Sequence, residues 1–130
     1  MKYLIDTDIA SYFLRGKHNL AGIFESKGVQ NLRLSVITLA ELKVLALKNP
    51  QSTINLSRIN QMAKAFNVIF ISGDEPWQLY SKIKAETLQQ GRPRGDLDIL
   101  QAALAKQYNL IVVTNNLSHF QDIVETETWI

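Results

Sequence analysis

The chain contains no cysteine, which excludes disulfides, thiolate catalysis and cysteine-ligated zinc. Histidine is scarce: His18 and His119 are the only two, neither pairs with a motif, and both read as surface or loop residues. No apolar run approaches the roughly 20 residues that a membrane span needs. The start, Met1-Lys2-Tyr3-Leu4-Ile5-Asp6, reaches a carboxylate before a signal-peptide h-region develops, so a cytoplasmic protein without a membrane segment is expected. Repeats, low-complexity tracts and linkers are missing too. The 130 residues suffice for one domain, residues 1–130, with a real core, and are too few for two.

What is present is ordinary globular composition, 46% hydrophobic and 20% charged, with a net charge of +2 and a sequence pI near 8.9. Gathering several of the twelve acids in one pocket would leave the remaining surface more basic than this total. That suits a polyanionic partner.

Short β-branched runs alternate with amphipathic stretches. Tyr3-Leu4-Ile5, Leu32 to Ile37, Val68-Ile69-Phe70-Ile71 and Leu110 to Thr114 read as strands, and Thr126 to Trp129 as a short edge strand. Between them, Ile59, Met62, Ala63 and Phe66 recur at helical spacing, as do Leu97, Leu100, Leu104 and Tyr108. Trp77, Tyr80 and Ile83 begin a third such stripe. All three predict core-facing helices. Asn49-Pro50, Gly91 and Asn109 are helix stops. Strands alternating with helices predict an α/β fold: a three-layer α/β/α sandwich around a mostly parallel sheet, with right-handed crossovers. Ligands of such a sheet lie beyond the carboxyl ends of its strands.

Several acids sit where that geometry gathers ligands. Asp6 ends the first strand, and Asp96 and Asp98 open the helix that follows Gly91-Arg92-Pro93-Arg94-Gly95. Glu41 is the one acid between Glu25 and Asp74, so a site needing a ligand from that stretch has no other candidate. Each has a plainer role beside the chemical one. In Asp6-Thr7-Asp8, Asp8 suits an N-cap for a helix beginning near Ile9, which leaves Asp6 harder to explain. Thr38-Leu39-Ala40-Glu41 matches a capping box. Asp96 and Asp98 cannot face the same way if both are helical; one cap explains one acid, and spacing does not say which. Asn115-Asn116 suits an Asx-turn, and Arg92 and Arg94 are either solvated loop charge or a phosphate contact. Clustered carboxylates repel unless a cation joins them, and hard divalent ions choose oxygen ligands.

With the acids placed, the chain resembles the PIN-domain ribonucleases, and most closely the VapC-type toxins of bacterial toxin–antitoxin pairs. The resemblance runs nearly end to end. It rests on Leu4-Ile5-Asp6-Thr7-Asp8-Ile9, Ser35-Val36-Ile37-Thr38-Leu39-Ala40-Glu41-Leu42, the segment Gly91 to Ala103 and Val113-Thr114-Asn115-Asn116-Leu117-Ser118-His119-Phe120. Each piece is weak alone, and four in order are strong. The resemblance implies that Asp6, Glu41 and Asp98 are the metal-ligating acids, with Asp8 in an outer position. Asn116 stands where the family carries a fourth acid, and Asp96 is an additional acid nearby that would compensate. It implies Mg2+ (or Mn2+ as substitute), hydrolysis of RNA phosphodiesters, a homodimer, and a small antitoxin protein whose C-terminal segment blocks the site. Two rivals remain. Asp6-Thr7-Asp8 with Asp96 and Asp98 superficially matches aspartate-nucleophile phosphatases, for which Ser72 would serve but the required lysine is missing. A PIN fold that binds RNA or protein without catalysis is the other.

Overall fold

Successive side chains of a strand point to opposite faces of its sheet, and here both faces of the central strands are covered. The computed structural model describes residues 1–130. Strand β1 (Tyr3–Ile5) lies at the centre. It pairs in parallel with β2 (Leu32–Ser35) on one side and with β4 (Ile111–Val113) on the other. Strand β3 (Asn67–Ile69) extends the sheet beyond β2, and β5 (Thr126–Glu127) beyond β4, giving the order β3-β2-β1-β4-β5 with every pair parallel. A fully parallel sheet needs apolar cover on both sides. Tyr3, Ile5, Leu34, Ile111 and Val113 face a core built with α1 (Thr7–Leu14), α2 (Leu20–Lys27), α3 (Val36–Lys48) and α4 (Leu56–Ala65). Leu4 and Val112, one residue out of phase, face α5 (Glu75–Gln89) and α6 (Asp96–Tyr108). Ala102, Ala103 and Ala105 let α6 lie close to the sheet. The expected α/β/α sandwich is found, with a sheet parallel throughout.

The helix stops fall as expected. Asn49 is the C-cap of α3, Asn109 ends α6 in the left-handed region at φ 54°, and Gly91 turns the chain after α5 at φ 66°. Strand ends were overextended. The second strand was expected to reach Ile37, but it stops at Ser35, whose Oγ accepts a hydrogen bond from the Thr38 N–H at 3.2 Å and so caps α3. Val36 and Ile37 are helical for that reason. The third strand ends at Ile69 rather than Ile71, and β5 is two residues long. Trp129 instead packs edge-on against Tyr3, with ring centroids 4.9 Å apart. Two helical stripes also need correction. Leu97 and Tyr108 on α6 and Trp77 on α5 are exposed rather than core, and α6 is instead buried around most of its middle turns, from Ile99 to Ala105. A narrow periodic stripe does not describe a helix sandwiched that way.

Phe24 anchors the larger core. It is 2% exposed, stacks on Phe13 at 4.7 Å and meets Phe66 edge-on at 5.5 Å. Phe24→Ala is expected to cost about 3–5 kcal/mol of stability, read as a lower urea midpoint at unchanged m-value. A loss below about 1 kcal/mol would mean that this cluster does not hold the layer together.

Candidate active site

The strand order reverses direction at β1: the chain first builds outward through β2 and β3, then returns to lay β4 on the other side. At such a switch point, the loops leaving adjacent strands diverge and open a crevice. Asp6 leaves β1 there, its N–H donating to the Val113 carbonyl at 2.9 Å, and Thr114 leaves β4 beside it. A cleft of roughly 340 Å3 opens over these ends, and Asp6, Asp8, Glu41 and Asp98 line it with Asn116 and His119. The three acids expected to act together, Asp6, Glu41 and Asp98, therefore share one cavity, although they come from β1, α3 and α6.

Asp6 occupies the N-cap position of α1 without capping it. Its Oδ2 instead accepts from the Thr114 hydroxyl at 2.9 Å, and the residue is only 9% exposed. Burial, followed by repulsion from Asp8, pushes the Asp6 carboxyl up to about 6; Asp98 adds to this, while hydrogen bonds from the Thr7 N–H and Thr114 oppose it. Asp8 was expected to cap a helix beginning near Ile9. The helix starts earlier, at Thr7, so Asp8 lies inside its first turn. Its carboxylate accepts from the Ile9 N–H at 2.7 Å, the Asn115 N–H at 2.9 Å and the Asn116 side-chain amide at 3.2 Å. Asp8 thus ties α1 to the loop after β4. Its own carboxyl is raised, chiefly by burial and against those N–H groups. Asn116 does not form the Asx-turn expected of it: its N–H donates to the Thr114 hydroxyl at 3.0 Å, and its side chain serves Asp8.

Glu41 does not belong to a capping box. Ser35 already caps α3, which places Glu41 in the second turn, facing the cleft. Its Oε1 accepts from the Thr7 hydroxyl at 2.7 Å. Asp98 lies in the first turn of α6 behind Gly95, the N-cap, and its Oδ2 meets His119 Nδ1 at 2.9 Å.

Asp96, expected as a cap or an outer acid of the site, is neither. It is the first helical residue, is not part of the cleft lining, and turns to Lys84 and the Tyr80 hydroxyl on α5. Those two groups hold its carboxyl below the usual range. The arginines separate as well. Arg94 grips Asp122 with two hydrogen bonds of 2.6 and 2.7 Å and donates to the His119 carbonyl at 2.6 Å. It is a strut rather than a free phosphate ligand. Arg92 remains largely exposed, on a neighbouring basin of roughly 440 Å3 that shares Asp98 and His119 with the cleft.

Sequence reasoning overlooked two groups in this cleft. His119 is a surface residue, as expected, but its ring reaches Asp98. Its signal was indirect: it lies within the segment Val113 to Phe120 that carries part of the family resemblance. Arg15, the one guanidinium on the cleft wall, ends α1 with its Nη2 donating to Ser11 Oγ at 3.0 Å and its head 5.2 Å from the Tyr12 ring centre. Spacing of four residues between Ser11 and Arg15 on one helix face was the available clue.

The donor set suits a hard cation, being carboxylate and amide oxygens with no sulfur. No three acid or imidazole groups already converge as a cage.

Comparison with known proteins agrees with this architecture. Residues 3–125 match the model of the PIN domain. The chain is 30% identical to "Ribonuclease VapC2" of Haemophilus influenzae, covering 100% of this chain and 99% of that protein. It is 29% identical to "tRNA(fMet)-specific endonuclease VapC" of Shigella flexneri, over 99% and 98% of the two chains. Among solved structures, a DNA-bound VapBC from Salmonella typhimurium superposes with a TM-score of 0.88 at 27% identity, covering 100% of this chain and 99% of that one. With the fold, the switch-point cleft and the full-length match in agreement, the chain belongs to the PIN-domain family, among its VapC-type members.

Proposed function

We propose that this protein is a Mg2+- or Mn2+-dependent endoribonuclease, the toxin of a toxin–antitoxin pair, with Asp6, Glu41 and Asp98 holding the cation. The observation that carries this reading is the desolvated Asp6 carboxyl, facing Asp8 and Asp98 at the switch point. Such a cluster is costly as a bare apoprotein and favourable around a divalent ion. When bound there, the cation would polarise a phosphodiester and lower the pKa of a bound water.

The chain's own residues do the positioning. Thr114 fixes one oxygen of Asp6, Thr7 fixes one oxygen of Glu41, and His119 fixes one oxygen of Asp98, so each acid keeps its second oxygen for the cleft. Arg15 at the cleft wall and exposed Arg92 beside it are placed to meet RNA phosphates, while Arg94 stiffens the loop between them and His119. In hydrolysis, water oxygen bonds to phosphorus as one ester oxygen departs with a proton. The phosphatase alternative finds no support in the cleft: neither Ser72 nor any lysine lines it. Relatives named ribonucleases and a tRNA-specific endonuclease favour RNA as substrate. The VapBC assemblies favour a small antitoxin protein as partner. A homodimer and a cytoplasmic location complete the proposal; no helix is long and apolar enough to cross a membrane.

The direct test is cleavage of total cellular RNA by the purified protein, with 5′-end mapping. Cleavage is expected with Mg2+ or Mn2+ and lost in excess EDTA. In the same assay Asp98→Asn should be inactive while Asp96→Asn cleaves at near the wild-type rate, losing only a solvent-exposed pair with Lys84. Activity persisting in EDTA, or the opposite ranking of the two variants, would reject this assignment; a folded protein that binds RNA but never cuts it would favour the binding-module reading.

A second expectation concerns pH. A folded-state carboxyl near 6 against an ordinary value of 3.8 means that the native state holds this proton more tightly than the unfolded chain. Stability from this group is therefore present at acid pH and declines as pH rises from about 4 to 6. Asp6→Asn should raise cation-free stability at pH 7 by on the order of 1–3 kcal/mol and flatten that part of the pH profile. Urea titrations at pH 4, 5, 6 and 7 decide it, and an Asn variant less stable than wild type at pH 7 would contradict the account of Asp6.

A further inference from the structure

One buried polar side chain takes no part in the site as described. Gln101 is 2% exposed and lies one turn beyond Asp98 on α6, between that helix and the ends of β2 and α3. A buried amide is costly unless its donors and acceptor are matched. Its Oε1 accepts from the Ser35 hydroxyl at 2.5 Å, and its Nε2 donates to Thr38 Oγ1 at 3.1 Å. Thr38 Oγ1 lies 3.3 Å from the Thr7 hydroxyl, and Thr7 donates to Glu41 Oε1 at 2.7 Å.

Proton counting gives these contacts a direction. A carboxylate only accepts, so Thr7's single proton goes to Glu41. Thr38 already accepts from the Gln101 amide, which leaves its proton free to turn outward, to the Thr7 oxygen or to the Ile5 carbonyl at 3.4 Å. At the far end, Ser35 Oγ accepts from the Thr38 N–H, so its own proton points to Gln101. With the Thr38 proton on the Thr7 oxygen, 3.3 Å away, every donor in the series Ser35, Gln101, Thr38, Thr7 faces Glu41, and the Ile5 carbonyl is the competing acceptor. Aligned chains of this kind strengthen each member in a low-dielectric interior.

We propose that Gln101 is a positioning residue for Glu41: its buried amide sets the direction of the Thr38 and Thr7 hydroxyls and so fixes which carboxylate oxygen of Glu41 is left for the cleft. This rests on the metal-site reading for its functional consequence, though not for the hydrogen-bond chain itself. An apolar residue at 101 would fill the same space and keep the core. It would free Thr38 to rotate, and Glu41 would lose a fixed partner. Supporting groups of this type tune ligand affinity by roughly tenfold or more.

The experiment has two readouts on wild type, Gln101→Met, Thr7→Val and the double variant. In cation-free protein, NMR exchange rates of the Thr7 and Thr38 hydroxyl protons report the chain directly. Both are expected to be protected in wild type, and Gln101→Met should speed Thr7 hydroxyl exchange about tenfold or more while backbone amide shifts away from the chain stay put. Mn2+ affinity from water-proton relaxation is the second readout. Each single variant should weaken it about tenfold, and the double variant should be no weaker than Thr7→Val, because Gln101 acts through Thr7. Unchanged Thr7 hydroxyl exchange in folded Gln101→Met, or a double variant whose loss is the product of the two singles, overturns the proposal. If Gln101→Met does not fold, Thr38→Val cuts the next link and is read by the same Thr7 proton. A wild type that binds no Mn2+ defeats the metal-site reading, while hydroxyl exchange still decides the role of Gln101.

Discussion

Like charges held together by a backbone that cannot move apart are the constraint on which this molecule turns. β1 and β4 are locked in register by parallel pairing from Tyr3 with Ile111 to Ile5 with Val113. Asp6 therefore has to emerge beside Thr114, and Asp8 beside Asn115 and Asn116. The layers on either face then bring Glu41 from α3 and Asp98 from α6 over the same point. Nothing in apolar packing favours that arrangement; packing tolerates it because the covered strands are nearly all aliphatic. The fold contributes the rigidity, and the site uses it.

The groups around Asp6, Glu41 and Asp98 share one pattern, a side-chain donor on a single oxygen of each carboxylate, whereas Asp8 is held at both oxygens. Thr114 on Asp6, Thr7 on Glu41 and His119 on Asp98 are hydrogen-bond donors from three different elements. Replacing repulsion with directed hydrogen bonds lets anionic groups stay close without neutralising them. Beyond this ring lie struts such as Arg94, clamped on Asp122 and on the His119 carbonyl, and the buried amide of Gln101. Their distance from the cleft does not make them passive. Sub-ångström placement of oxygen donors is what distinguishes a hard-cation site from a merely acidic surface.

Much of this was legible in the sequence. Short β-branched runs gave the strands, their alternation with helical stripes gave the layers, and acids at strand ends and helix starts gave the cleft. The misreadings have local causes. Ser35 ends a strand and caps a helix at once, so the β-branched pair Val36-Ile37 reads as strand, and Thr38 to Glu41 offers a capping box beside the metal-ligand role of Glu41 that the helix does not use. Asp96 and Asp98 were ambiguous because only the neighbouring helix, through Lys84 and Tyr80, draws the first of them away. The contacts of His119 and Gln101 could not be read from the sequence for a different reason. Their partners are 21 and 66 residues away in the chain, Asp98 and Ser35, and periodicity carries no information about such pairings. Proximity created by the sheet, not spacing along the chain, gives them their roles.

On the proposed reading, the acids of the cleft form a site for a divalent cation, which would relieve a strain the apoprotein carries. Thermal unfolding of the cation-free protein, titrated with Mg2+ and Mn2+ at constant ionic strength, tests it without any substrate. A ligand that binds only the native state raises the midpoint in proportion to the logarithm of its concentration above Kd. Such a rise is expected for wild type at millimolar Mg2+ or lower Mn2+, and none for Asp6→Asn, whose cation-free midpoint at pH 7 starts higher. A wild-type midpoint that does not respond to either ion, or an Asp6→Asn variant that responds as strongly as wild type, would contradict it.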